Sequence, residues 1–223
     1  MAVRDDFSAG EVLAAADLND TFASKLPYSY GTATPTTTDS GFLWYDSNST
    51  PAAPKFWNGS AFVAFPAGLS YIHTETFSGV SSVSMSGKLS STYDYYLVMW
   101  DITCTSDVFL NMRLRSGSTD NTAANYDIQR NATFSSTTSF ATSPNQTSMN
   151  VGRVRSSGGS GVLHLYNPAL ASSTYMVSSA GHSGQFTDIR GLHDVSTAFD
   201  GLTFIPDSGT MTGTIRLYGY ANA

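Results

Sequence analysis

The sequence predicts a mainly β protein: an antiparallel β-sandwich of jelly-roll type, preceded by a short N-terminal helix and a β-hairpin adaptor. From Tyr71 onward the chain is almost wholly short β-type runs separated by Ser, Thr, Gly and Asn, the pattern of an all-β sandwich. Several of those runs alternate by parity: Leu110, Met112 and Leu114 fall on one face of a strand, and Asn111, Arg113 and Arg115 on the other. No segment repeats at a fixed period, which argues against a solenoid or propeller. The division expected is an anchor and adaptor over residues 1–69 and a sandwich over 70–223.

Residues 1–26 hold the expected helix. Ser8 followed by Glu11 fits a capping box, and an alternative start lies near Ala14–Ala16 with Asp17 in the first turn. Leu18, Phe22 and Leu26 recur at four-residue spacing as one apolar stripe, Leu13 being counted with them as an anchor residue. So short a helix is marginal alone, so the stripe must dock, either on its own sandwich or on a neighbouring subunit or larger assembly. Residues 27–40, rich in Pro, Gly and Thr, read as an extended strap. In the segment that follows, strands are expected at Phe42–Tyr45 and around Phe62 and Val63. A loop lies between them, with a tight turn at Asn58-Gly59. Trp44 and Trp57 are expected to pack across this ribbon with Phe62, core packing being favoured over sugar stacking. Such a small hairpin buries little, so these three aromatics are also expected to meet symmetry mates in a homo-oligomer, a trimer.

In the sandwich, strands are expected near 72–77, 80–86, 95–104, 108–116, 125–133, 147–155, 161–167, 174–182, 185–191, 198–205 and 211–218. The run Tyr95–Cys104 is apolar on both parities, as in a central strand covered on both sides, and Trp100 belongs to its core. Ile215 and Leu217 face in, Arg216 and Tyr218 out. Polar stretches at 117–125, 141–149 and 156–161 read as long loops, the places where binding residues concentrate.

Only 13% of residues are charged, about half the usual share, while Ser and Thr make up about a quarter. Hydroxyls therefore carry the solvent faces. A net charge of −6 with 11 Lys and Arg leaves no basic footprint for nucleic acid. No apolar run approaches the roughly 18 residues needed to span a membrane. The opening residues lack a secretion signal, so synthesis and retention in a cytoplasm are expected. Cys104 is the single cysteine, which excludes an internal disulfide, and its parity with Val98, Trp100 and Ile102 makes it a buried thiol.

Chemistry-bearing residues form no recognisable catalytic set. His73, His164, His182 and His193 lack metal-ligand spacing, and AGHSGQ only superficially resembles a nucleophile elbow. Asp188, Asp194, Asp200 and Asp207 recur in the C-terminal third; Asp200-Gly201 and Asp207-Ser208-Gly209 read as turns, and turn chemistry is favoured over glycosidase or calcium carboxylates. No enzyme, metal or cofactor is expected. The pairs Arg113/Arg115 and Arg153/Arg155 each share a strand face. They bind acidic groups, such as lipopolysaccharide phosphates or a neighbour's carboxylates, or they are simply solvated.

Three stretches resemble one family. FSAGEVLAAADLNDTF is similar to the opening motif of tailed-bacteriophage fibre and minor virion proteins. GFLWYDSNSTPAAPKFWNGSAFVAF resembles the Trp hairpin of phage fibres. AFDGLTFIPDSGTMTGTIRLYGY is similar to the endings of virion β-sandwiches. The chain departs from longer fibres in having no coiled coil and no repetitive shaft. The resemblance implies a non-catalytic virion component, often trimeric. Its N-terminal region would dock to other virion proteins and its sandwich would face outward, for instance toward a host-surface glycan. A capsid decoration protein and a tailspike-type glycan hydrolase are the alternatives; copy number per particle separates the first, and loss of polymer viscosity the second.

Overall fold

The computed structural model describes residues 28–36, 42–49, 52–64, 68–134 and 136–220, within two compact units, Met1–Ala67 and Gly68–Ala223. The expected helix, with Leu13, Leu18, Phe22 and Leu26, lies outside the described residues.

The described part of the first unit is a four-stranded sheet rather than a hairpin. Its strands are β1 (Tyr28–Gly31), β2 (Leu43–Asp46), β3 (Ala53–Trp57) and β4 (Phe62–Ala64), hydrogen-bonded in chain order, with β1 parallel to β2 and the other pairs antiparallel. Two expectations are corrected here. The supposed strap contributes β1, and the supposed loop contributes β3, whose Pro54 still pairs with Tyr45. Composition hid both, because Pro, Gly and Thr read as breakers until a neighbouring strand supplies hydrogen bonds. The turn after β2 is built by Asp46, whose carboxylate accepts hydrogen bonds from the Asn48 N–H (2.9 Å), the Ser49 hydroxyl (2.5 Å) and Lys55 Nζ (2.7 Å). The Lys55 ammonium, with the Ser49 and Asn48 donors, holds that carboxyl at about 2, well below the usual range. The turn at Asn58-Gly59 forms as expected: Asn58 Oδ1 accepts from the N–H groups of Ser60 and Ala61, and Gly59 takes φ +102°.

The second unit is a sandwich of two antiparallel sheets. The larger has eight strands in the order β11-β10-β15-β14-β13-β7-β17-β5: β11 (Thr137–Gln146), β10 (Tyr126–Phe134), β15 (Gln185–His193), β14 (Thr174–His182), β13 (Gly159–Tyr166), β7 (Tyr95–Cys104), β17 (Met211–Tyr220) and β5 (Leu69–Val80). The smaller runs β12 (Met149–Val154), β8 (Val108–Ser116), β16 (Gly201–Pro206) and β6 (Val83–Met85), with β9 (Thr119–Asp120) folded onto β8. The pairing is nested. β5 pairs with β17, β6 with β16, β7 with β13 and β8 with β12, and successive pairs alternate between the sheets. Two hairpins, β10–β11 and β14–β15, extend the larger sheet beyond β13.

Alternation fills the space between the sheets. Tyr96, Val98, Trp100, Ile102 and Cys104 of β7, Leu163 and Leu165 of β13, and Ile215 and Leu217 of β17 meet Leu110, Met112 and Leu114 of β8 and Phe204 of β16. At about 1.5–3 kcal/mol for each fully buried large apolar side chain, this layer is the main source of stability. Trp100 fits because its neighbours are minimal. A Cβ on Gly152 or Gly161 would come within 2.7 Å of the indole ring.

Three further expectations are corrected. β7 is central in its sheet but covered on one face alone, with Tyr95 and Met99 exposed on the other. The second face of β8 is not simply solvated, since Asn111 and Arg115 are buried on it. Finally, most of the polar stretch 141–149 is strand: β11 occupies Thr137–Gln146. Its Ser and Thr pair with β10 by backbone, which composition cannot display.

Candidate functional site

The aromatics expected to form an anchor cluster do come together within the first unit. Trp44 and Trp57 both pack against Phe62, at ring-centroid distances of 5.4 and 5.3 Å, and Phe42 joins them at 6.2 Å. Trp44 is buried, donates from Nε1 to the Gly31 carbonyl (3.2 Å) and carries Lys55 Nζ above its ring. Its partners are thus supplied by its own sheet.

Of the two arginine pairs, Arg113 and Arg115 find separate partners, whereas Arg153 and Arg155 act together on one carboxylate. Arg115 is only 7% exposed, bonded to the Thr203 hydroxyl (2.6 Å) and paired with Asp120 (3.1 Å). Thr203 in turn donates to Asp120 Oδ1 (2.6 Å), which closes a structural triangle on the smaller sheet. Arg113 donates to the Thr147 carbonyl (3.0 Å). Arg153 and Arg155 share a single carboxylate, Asp107, at 3.2 and 2.6 Å. A residue that the sequence reading missed, Arg130, comes from the other sheet to lie over the Phe109 ring at 4.3 Å, where Arg153 also lies at 5.1 Å. Burial, and then the Arg153 charge, depress the Arg130 pKa.

The most site-like surface lies elsewhere, on the outer face of the larger sheet. There β11, β10, β15 and β14 line an open groove of about 590 Å³. Register sets its rows. Phe140, Asn131 and Asp188 stand side by side across three strands, and Thr142, Gln129, Arg190 and Val177 form the next row. The groove continues past Gln129, Thr142 and Arg190 toward Asp127, Pro144 and Leu192. Phe140 is 80% exposed, an unusual position for a phenyl ring. Asp188 accepts from the Ser179 hydroxyl (2.8 Å), and the buried Oδ1 of Asn131 has no hydrogen-bond partner among the described residues. An exposed ring beside a carboxylate, a guanidinium and two amides can stack on an apolar face and bond hydroxyls around its edge. The sequence reading reached this surface only through its 141–149 segment and through Asp188, one of the carboxylates it weighed. Phe140, Asn131 and Arg190 become neighbours by strand pairing across about 60 residues of chain, and no local signal marks them.

The histidines sit in four different settings. His73 pairs with Glu75 (3.0 Å), His182 Nε2 meets Gln185 Oε1 (2.9 Å), and His164 stands on the outer face of β13. His193 is fully buried between the rings of Tyr126 (4.4 Å) and Phe199 (5.1 Å). Among the described residues no three His, Cys, Asp or Glu side chains gather as a metal-binding group.

No family model matches this sequence, and no curated protein is similar to it in sequence. Solved structures give distant likenesses. The Caenorhabditis elegans galectin LEC-6 has 10% identity and a TM-score of 0.27, over 70% of this chain and 98% of that one. The tail fiber protein gp63.1 from an E. coli phage has 8% identity and a TM-score of 0.29, over 73% of this chain and 23% of its own. A sucrose-6-phosphate hydrolase from Lactobacillus gasseri has 10% identity and a TM-score of 0.29, over 65% and 28%. The chain thus spans about a quarter of the fibre and of the hydrolase. Scores this low establish no shared fold.

Proposed function

We propose that this chain is a structural protein of a tailed-bacteriophage virion, a short tail fibre or tail-associated adhesin without catalytic activity. In this reading residues 1–26 dock to other virion proteins, copies assemble as a homotrimer, and the sandwich is turned toward the host. The nested pairing of β5–β17, β6–β16, β7–β13 and β8–β12 supports reading the sandwich as a jelly roll that the two added hairpins widen on one side. The observation that carries the reading is the groove over β11, β10, β15 and β14. Its exposed Phe140, the Asn131 side chain whose Oδ1 has no partner among the described residues, Asp188 and Arg190 suit a glycan. Single contacts of this kind are weak, so several copies on one particle would supply avidity.

The test is binding of the full chain to susceptible cells and to a glycan array, with Phe140→Ala and Asn131→Ala beside the wild type. The expected result is binding that each substitution weakens at least tenfold, equivalent to about 1.4 kcal/mol. Equal binding by all three proteins, or none to any susceptible host, removes the adhesin reading.

A further inference from the structure

Apart from Phe134 at the end of β10, the exposed large apolar side chains of the second unit are not scattered. Leu69, Tyr71, Tyr95, Met99, Phe140, Tyr175, Val177 and Phe186 all occupy outward positions of the larger sheet. Phe140 and Val177 line the groove. The rest of the face, over β5, β17, β7, β13 and β14, has a different chemistry: it is a field of tyrosines. Tyr71 and Tyr218 contact edge to face at 5.9 Å, and Tyr95 and Tyr166 at 5.1 Å. Tyr220 pairs with Tyr95 across β17 and β7, and Tyr175 with Tyr166 across β14 and β13. Leu97 and Met99 fill the centre between them.

We infer that a second copy of this chain covers the tyrosine field. A cluster of exposed tyrosines and aliphatics at one end of a sheet face, rimmed by polar residues, is the kind of patch that marks an interaction surface. Three observations choose the occupant. Size comes first. Five strands spaced ~4.8 Å apart and about eight residues long cover about 600 Å², so two copies would hide about 1,200 Å², where the range for stable complexes begins. Composition agrees, since Tyr, Met and Arg are the side chains enriched at interface cores while Lys and Glu are depleted. Charge decides among partners. The chain carries −6, so two copies repel wherever acidic surfaces meet. Across the outward positions of these strands the charged side chains are Arg216 and Asp101, which cancel. The field offers no basic patch to an anionic polymer or membrane and no acidic patch to a basic partner. It does fit itself. About a two-fold axis, Arg216 of one copy can meet Asp101 of the other, twice over.

The inference rests on the proposed assembly of copies and gives that assembly a surface. Its readout is mass rather than cell binding, so the two readings fail separately. Sedimentation of the full chain at about 10 µM, at low and moderate salt, should give at least twice the 23.8 kDa of one chain. Tyr95→Glu with Tyr218→Glu should return the mass to 23.8 kDa, with far-ultraviolet dichroism unchanged. Met99→Lys, at a single exposed position, serves the same purpose if the double variant does not fold. Phe140→Ala, in the groove, should leave the mass as in the wild type. A monomeric wild type, or an oligomer that both field variants preserve, overturns the inference. So does a monomeric wild type whose attachment to cells or particles is lost in the field variants, because the field would then belong to a different partner.

Discussion

Trp100 owes its place to what its neighbours lack. The indole lies against Gly152 of the opposite sheet and Gly161 of the adjacent strand, and any side chain there would collide with it. Trp100→Ala is therefore expected to cost about 3–5 kcal/mol, the usual loss for removing a large buried aromatic. Gly161→Ala should cost about 1–3 kcal/mol from overpacking, because the added methyl would also meet the Ser179 carbonyl and the Ala180 methyl. Urea unfolding of the two variants checks both values; a loss below about 0.5 kcal/mol for Gly161→Ala would mean the ring has room to shift.

His193 supplies a pH dependence. Burial between Tyr126 and Phe199 lowers its pKa, the nearby Asp194 opposing that only in part, and neither ring nitrogen has a partner among the described residues. The imidazole thus stays neutral in the folded chain, whereas the unfolded chain protonates it near pH 6.5. The sign follows: stability is complete above that pH and falls as pH drops through it toward the depressed native value, by at most about 1.4 kcal/mol per unit for one proton. Unfolding midpoints at pH 7.5 and 5.5 should differ in this direction, and His193→Phe should shrink the difference. An equal drop in the variant would assign the effect to other groups.

At the scale of elements, β7 and β11 are opposites. β7 lies between β13 and β17 and buries every second side chain, whereas β11 pairs with β10 alone and leaves most of its residues exposed. Local opening free energy follows such differences. Amide exchange in β11 is expected to be faster than in β7 by orders of magnitude, and mass-resolved exchange would show it. Equal protection would mean that something covers the β11 edge in solution. The contrast also explains what the chain revealed beforehand. Tyr95–Cys104, Val108–Ser116 and Thr174–His182 are legible to the residue, because each is an apolar or alternating apolar-polar run bounded by turn residues. β11 and β3 are not, because their pairing is made by backbone groups that every residue carries.

For the whole molecule, the proposed role divides labour between the two units. Deleting residues 1–26 should leave a chain that folds and unfolds cooperatively but no longer joins the particle. Dichroism together with particle co-sedimentation would report this, and normal incorporation would move the anchor elsewhere. The groove and the tyrosine field share one sheet face without sharing chemistry, so each can be altered with the other left intact.

Local sequence by itself determined the mainly β character, the inward parity of β8 and β17 and the burial of Cys104, since each depends on patterning within ten residues or fewer, whereas the one-sided burial of β7 came only with the fold. Only the tertiary structure decided which outward residues become neighbours. Arg115 faces away from the core of the sandwich yet is buried, because Asp120 and Thr203 meet it there. Arg130 reaches Phe109 from the other sheet. Asn131, Phe140 and Asp188 form one row although up to 57 positions separate them in the chain. The reason is physical. Side-chain alternation is a property of a single strand, but a site on a sheet is set by register between strands, and long-range hydrogen bonding fixes register only once the whole sandwich has closed.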